Sequence, residues 1–158
     1  MCSTMNKYLE KFADANFKKP GKALDLGAGG CVDVKGLKKK GWNCEGVDLK
    51  MGVNLEKPFY SANAPFDLVY SNYTIQKIKN KKQFIQNTVD NLKPDGYLFL
   101  HTFDKSDESG DSELDRDTMI ELLGDNFTNL KTRVFRYYDN ETDHKHWHKI
   151  LEVTAQKK

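Results

Sequence analysis

The chain has 158 residues, 38% hydrophobic and 30% charged, and its 25 Lys and Arg against 23 Asp and Glu leave a net charge of +2. A chain of this length buries roughly 70% of its unfolded surface, enough for one core, so a single domain over 1–158 is expected, with no separate substrate domain. The opening MCSTMNKYLEKF lacks an apolar stretch of signal-peptide length, and nowhere do apolar residues run together long enough to span a bilayer. Secretion and membrane insertion are disfavoured, and a cytoplasmic location is expected. Three cysteines, Cys2, Cys31 and Cys44, make an odd count without CxxC spacing, which argues for reduced thiols rather than a disulfide framework or zinc site.

In chain order, Met5–Phe17 carries Leu9, Phe12 and Phe17 at helical spacing and stops at Pro20 and Gly21, which predicts a leading helix over about 5–17. KALDLG (22–27) is a short apolar strand closed by glycine. Val32–Lys40 follows as an amphipathic helix ended by Gly41, and WNCEGVDL (42–49) alternates as a strand. FDLVYS (66–71) is a buried strand. Lys81–Leu92 puts Phe84, Ile85, Thr88, Val89 and Leu92 on one helical face, and Pro94, Asp95 and Gly96 turn the chain into the strand YLFLHTF (97–103). Strand and helix alternate three times, the pattern of an α/β three-layer sandwich with a mostly parallel sheet and helices on both faces. Residues 96–126 then carry nine acidic and two basic side chains. Their stretch DKSDESGDSELDRD (104–117) predicts a solvated, mobile loop, with a charged lid as the alternative. A helix over Leu114–Leu123 precedes two strands, Leu130–Tyr138 and Trp147–Thr154. The polar link DNETDHKH is too short for a crossover helix, so these strands form an antiparallel C-terminal hairpin.

The strongest functional signal is the turn Asp25-Leu26-Gly27-Ala28-Gly29-Gly30-Cys31 between a strand and a helix. Glycines there permit a sharp turn and close approach of a ligand to bare backbone, while the helix start presents free N–H groups. Asp48 ends the second strand 19 residues after Gly29, where a carboxylate accepts hydrogen bonds from both ribose hydroxyls of a nucleotide. Asp25 precedes the first glycine. An anion there suits a ligand with an ammonium and a sulfonium better than a pyrophosphate.

With ALDLGAGG, EGVDL, FDLVYSN and LKPDGYLFL in this order, the chain resembles the class I S-adenosylmethionine-dependent methyltransferases over about residues 20–156. Its closing segment HWHKILEVTAQKK is more narrowly similar to the tellurite-resistance and thiopurine type members. The resemblance implies a Rossmann-like α/β/α sandwich and S-adenosyl-L-methionine as cofactor. It places Asp25, Gly27, Ala28 and Gly29 around the methionine end, Asp48 on the ribose and Leu49 against the adenine. Asn54 stands where the family often has an aspartate that receives the adenine amino group. Ser71, through its carbonyl, and Asn72 border the methyl group. Cys31 replaces a third glycine. Only 17 residues separate Asp48 from Phe66, where the family usually has a helix, a strand and often another helix. The expectation is a short strand near Val53, a thin sheet edge, and a cover for that edge or for the exposed cofactor supplied by a second subunit in a homodimer or by the leading helix.

The resemblance implies methyl transfer to a small-molecule acceptor by in-line displacement, for which the protein mainly aligns the nucleophile. Should a base be needed, Tyr73 and His101 at the ends of the third and fourth predicted core strands are the catalytic candidates. His144, His146 and His148 share one face of an extended strand, a metal-binding spacing or a contribution to the substrate site; no metal is expected. The lysine runs lack interleaved aromatics and FDLVYSNYT lacks a proline-rich motif, so nucleic acid is not the expected partner. Two rivals stand beside this reading: a nicotinamide-dinucleotide oxidoreductase of related fold, opposed by Asp25 and the hairpin, and a regulatory module that binds the cofactor without turnover.

Overall fold

The computed structural model describes residues 4–140 and 145–158. Its elements are α1 (Lys7–Asn16), β1 (Lys22–Leu26), α2 (Val32–Lys39), β2 (Asn43–Val47), β3 (Phe66–Asn72), α3 (Lys81–Asn91), β4 (Leu92–Phe103), α4 (Arg116–Leu123), β5 (Phe127–Asp139) and β6 (His146–Lys157). One six-stranded sheet has the order β2-β1-β3-β4-β6-β5. The first four strands run parallel, and β6 pairs antiparallel with both β4 and β5, as the short polar link requires. The fold is the Rossmann-like α/β/α sandwich.

Alternation along the strands assigns the two faces. Leu24, Leu26, Val69, Leu98, Leu100, Leu151 and Val153 pack with Phe84, Ile85 and Met119 of α3 and α4. Ala23, Leu68, Tyr70 and Phe99 pack with Leu9 and Ala13 of α1 and with Val34 and Leu37 of α2. Side chains two apart share a face, so Asp25, Asn72, His101 and Phe103 belong to the α1 and α2 side. The helix ends are specified locally. Asn6 caps α1 by accepting from Tyr8 and Leu9 N–H, and Asp115 and Thr118 form a reciprocal capping box that starts α4. The latter moves the expected helix start from Leu114 to Arg116, because Asp115 holds an extended backbone.

Three expectations are corrected. No strand forms near Val53; residues 49–51 make one 3-10 turn and 52–65 continue as turns and irregular chain, leaving β2 as the bare sheet edge. The cause lies on α3. Asn87 is fully buried, its Oδ1 accepting Phe59 N–H at 3.0 Å and its Nδ2 donating to Leu55 and Lys57 carbonyls at 3.1 and 3.0 Å. Asn91, one turn on, accepts Ser61 N–H at 2.9 Å and donates to the Phe59 carbonyl at 3.0 Å. Two side-chain amides thus satisfy backbone groups that a strand ladder would otherwise satisfy. Second, α1 does not cover the β2 edge, one of the two places expected for it; it packs on the sheet face beside α2. Third, the acidic stretch is not simply solvated, since Asp104, Asp107, Ser112 and Leu114 are buried.

Replacing Asn87 with Ala strands one N–H and two carbonyls of the 55–59 segment, which costs about 3 kcal/mol of unfolding free energy. Urea denaturation checks this, and a loss below about 1 kcal/mol would show that the segment is not held through Asn87.

Candidate active site

The carboxyl ends of β1, β2, β3 and β4 open into one cavity of about 700 Å³. It lies where the chain, having gone from β1 to β2 on one side, returns to β3 on the other, the usual ligand crevice of an open parallel sheet. The glycine turn forms its floor. Gly27 and Ala28 N–H both donate to the Val47 carbonyl at 2.9 Å, and Gly29 N–H donates to Asp48 Oδ2 at 3.0 Å. Gly27 has φ +88°, and a Cβ there would lie 2.1 Å from Thr74 Oγ1, so backbone angle and space both demand glycine. Cys31, at φ +62°, takes the left-handed conformation that a third glycine would take and starts α2 without a side-chain cap.

Five carboxylates border this cavity, and three of them, Asp25, Asp33 and Asp48, gather around the glycine turn. Asp25 is 3% exposed. Burial, aided by repulsion from Asp33 and Asp48, pushes its carboxyl well above the usual range against a hydrogen bond from Tyr70. Asp48 is held below its ordinary value, chiefly by the Lys50 N–H with further help from Gly29 N–H. Each of its oxygens keeps a lone pair for a ligand hydroxyl. Asp33, in the first turn of α2, accepts Asn6 N–H at 2.8 Å on one oxygen and Asn72 Nδ2 at 2.9 Å on the other. Asn72 is thereby turned so that its Oδ1 is, among the described residues, the one buried side-chain polar atom with no hydrogen-bond partner. A buried acceptor without a donor, in the same cavity as a carboxyl whose ionisation burial opposes, fits a cationic donor such as an ammonium. These residues match what an amino acid sulfonium joined to a nucleoside requires.

Of the residues singled out in the sequence, Asp25, Gly27, Ala28, Gly29, Asp48, Leu49, Asn54, Asn72 and Tyr73 all line the cavity. Leu49 is 73% exposed, an apolar surface without protein cover. Asn54 uses its Oδ1 on Glu56 N–H at 3.0 Å, so the acceptor proposed for an adenine amino group is already engaged in a local turn. Ser71 is buried away from the cavity, its hydroxyl donating to the Leu26 carbonyl at 2.6 Å. His101 also lies behind the wall, fully buried. Its Nε2 is 2.8 Å from Glu152, which also takes Arg133 at 3.0 Å, and its Nδ1 is 3.2 Å from Asn6 Nδ2. Burial pulls the imidazole pKa down in spite of Glu152, so a neutral ring donates through Nε2 and accepts from Asn6. His101 thereby fastens the start of α1, where residues 4–8 border the cavity. Tyr73, at φ +61°, is held by its N–H on the His101 carbonyl at 2.8 Å.

Sequence reasoning did not single out Asp33, Asn6, Phe103 or Asp107. The sign for Asp33 is an acid two residues past the glycine turn; for Asp107 it is the doubled Asp-x-Ser of DKSDES, each aspartate accepting from the serine two residues on. Of the three histidines, His144 lies outside the described residues, and His148 pairs with Asp107. Among the described residues no group of three or more His, Cys, Asp or Glu is arranged to hold a metal ion, and no helix is long and apolar enough to cross a membrane.

Because its folded-state pKa is raised, Asp25 binds its proton more tightly in the native state than in the unfolded chain. It therefore favours folding at low pH, and that contribution is lost as pH climbs past the unfolded value of about 3.9. Asp25→Asn should leave the ligand-free protein at least as stable as the parent at pH 7, with the advantage fading toward pH 4. Denaturation midpoints at the two pH values check this; a variant less stable at pH 7 contradicts it.

Comparison with known proteins agrees with this geometry. A family profile described as methyltransferase domain matches residues 2–150. A search of curated protein sequences gives no match. Among solved structures, a chain from work on the conversion of a disulfide bond into a thioacetal group during echinomycin biosynthesis superposes with a TM-score of 0.75 at 11% identity, over 98% of this chain and 82% of that one. TehB from Haemophilus influenzae gives 0.72 at 16% identity, over 98% and 63%. The 1,6-didemethyltoxoflavin-N1-methyltransferase of Burkholderia thailandensis, solved with its namesake substrate and S-adenosylhomocysteine, gives 0.72 at 19%, over 96% and 77%. The chain belongs to the methyltransferase domain family and is an S-adenosylmethionine-dependent methyltransferase of class I fold.

Proposed function

We propose that the chain methylates a small molecule held between α1, β4 and β6, with the cofactor laid along the ends of β1 and β2. The observation that carries this reading is the set of three carboxylates, Asp25, Asp33 and Asp48, around the glycine turn, with the unpartnered Asn72 Oδ1 beside them. A bound S-adenosylmethionine supplies a methyl group on a positively charged sulfur. Asp48 accepts from the ribose hydroxyls, and Gly27–Gly29 leave room for the ligand to lie on bare backbone. Asp25 and Asn72 Oδ1 receive the methionine ammonium, which restores to Asp25 the charge that burial opposes. Leu49 covers one adenine face. Tyr73, which borders the same cavity, positions the acceptor, and α1 excludes water at the mouth.

The acidic wall also disfavours nucleic acid, whose phosphates would meet like charge. Cytoplasmic residence is part of the proposal and is supported by the free thiols of Cys31 and Cys44. A homodimer has in its favour the open β2 edge; sedimentation velocity at micromolar concentration decides it, a monomer overturning it.

Calorimetry with S-adenosylhomocysteine tests the site. Asp48→Ala should weaken binding more than tenfold, about 1.4 kcal/mol or above for a charge-assisted pair. Unchanged affinity in this variant would refute the ribose assignment.

A further inference from the structure

The cavity wall built from β6 holds a pair of titratable groups that cofactor binding does not use. His148 is 8% exposed and Asp107, from the acidic connection before α4, is 6% exposed. Asp107 Oδ2 lies 3.1 Å from His148 Nδ1. The carboxylate is itself fixed: Ser109 donates to Oδ2 from Oγ at 2.5 Å and from N–H at 3.2 Å, and Lys149 N–H donates to Oδ1 at 2.6 Å. Burial raises the Asp107 pKa, but these bonds and the one from His148 outweigh it and hold the carboxyl below its ordinary value. An ionised carboxylate only accepts, so His148 donates from Nδ1, and in the neutral ring the lone pair then lies on Nε2.

The ring is also held in place. Phe103 stacks on it at 4.6 Å and 25°, and His146 meets it edge-on at 4.2 Å. Tyr73 lies 5.3 Å from Phe103, and Tyr137 stands opposite His148 in the β5–β6 register. Phe103, Tyr73, Tyr137, Ile150 and His148 line the cavity together. A clasp that merely tied the acidic connection to β6 would need Asp107 and the Lys149 amide; it would not need an imidazole in the cavity wall. What the fold has built is an aromatic slot with one oriented basic nitrogen.

We infer that His148 Nε2 is the general base of the methyl transfer, that Asp107 is its positioning residue, and that the acceptor is a flat, conjugated molecule bearing an acidic O–H. The inference rests on the methyltransferase reading above and deepens it. The acceptor oxygen forms a bond to the methyl carbon as the carbon–sulfur bond breaks, with that bond's electron pair remaining on sulfur. The acceptor proton passes to His148 Nε2, so a neutral methyl ether leaves and the imidazolium is stabilised by Asp107 until it releases the proton to water. Among the described residues, the other ionisable groups around His148 are His146 on its own strand, Tyr137 and Asp139 on β5 and Tyr73 after β3; β4 contributes the uncharged Phe103.

The test uses the full chain, Asp107→Asn and His148→Gln, with 4-nitrophenol as the acceptor probe because its phenolate absorbs visible light. S-adenosylhomocysteine calorimetry comes first: all three proteins should bind it within about twofold of one another, and no binding by the parent would overturn the methyltransferase reading itself. Imidazole nitrogen NMR of the ligand-free parent should show His148 with hydrogen on Nδ1. Asp107→Asn should lose that preference. At a pH where free 4-nitrophenol is mostly protonated, the parent saturated with S-adenosylhomocysteine should bind it as the phenolate, and His148→Gln should form at least tenfold less. Hydrogen on Nε2 in the parent, a His148 tautomer unmoved by Asp107→Asn, or equal phenolate in parent and His148→Gln would each overturn the inference.

Discussion

The site depends on one carbonyl. Val47, the last residue of β2, accepts from both Gly27 and Ala28 N–H, so the chain leaving β1 bends across the end of β2 instead of running on beside it. That bend brings Gly29 to Asp48 and aims the start of α2 at the cavity. Close approach of the two segments is possible because Gly46 lacks a side chain; a Cβ there would come within 2.7 Å of Ala28 Cβ and 2.9 Å of Val34 Cγ2. Glycines on both sides of the crossing therefore do different work. Gly27 accepts a left-handed backbone, and Gly46 makes room for the turn that results.

Once the turn is placed, electrostatics follow from strand alternation. Asp25 and Asn72 sit on the same sheet face as α2, so Asp33 in that helix's first turn reaches Asn72. The helix start favours an acid at that point. The result is a cluster of carboxyl groups in one crevice, an arrangement that opposes folding slightly and favours a cationic ligand. The same face carries the Arg133–Glu152–His101–Asn6 series, which reaches the cavity through Asn6 and sets where α1 begins. Fully partnered polar chains of this kind fix one arrangement of a buried wall.

Much of this was legible in the residues themselves. The glycine turn, the acid at the end of β2 and the strand–helix alternation depend on neighbours within a few residues, and all appear where expected. The 48–66 segment was not legible, because its conformation is decided by Asn87 and Asn91, whose amides reach back about 30 residues in sequence. Nothing in FIQNTVDNL distinguishes buried, backbone-binding asparagines from exposed helical ones. His101 was equally ambiguous: a histidine in an apolar strand looks the same whether it faces a ligand or a carboxylate on another strand.

By itself the sequence determined the glycine-turn side of the cavity, because that side is made of local backbone requirements: glycine where φ is positive, an acid at a strand end, a helix start free to donate. The tertiary structure alone decided the other side. Asp107 and His148 stand 41 residues apart, and their meeting at 3.1 Å depends on β6 returning beside β4 and on the acidic connection folding back over it. Distant side chains are brought together by strand pairing and burial, which no local pattern records.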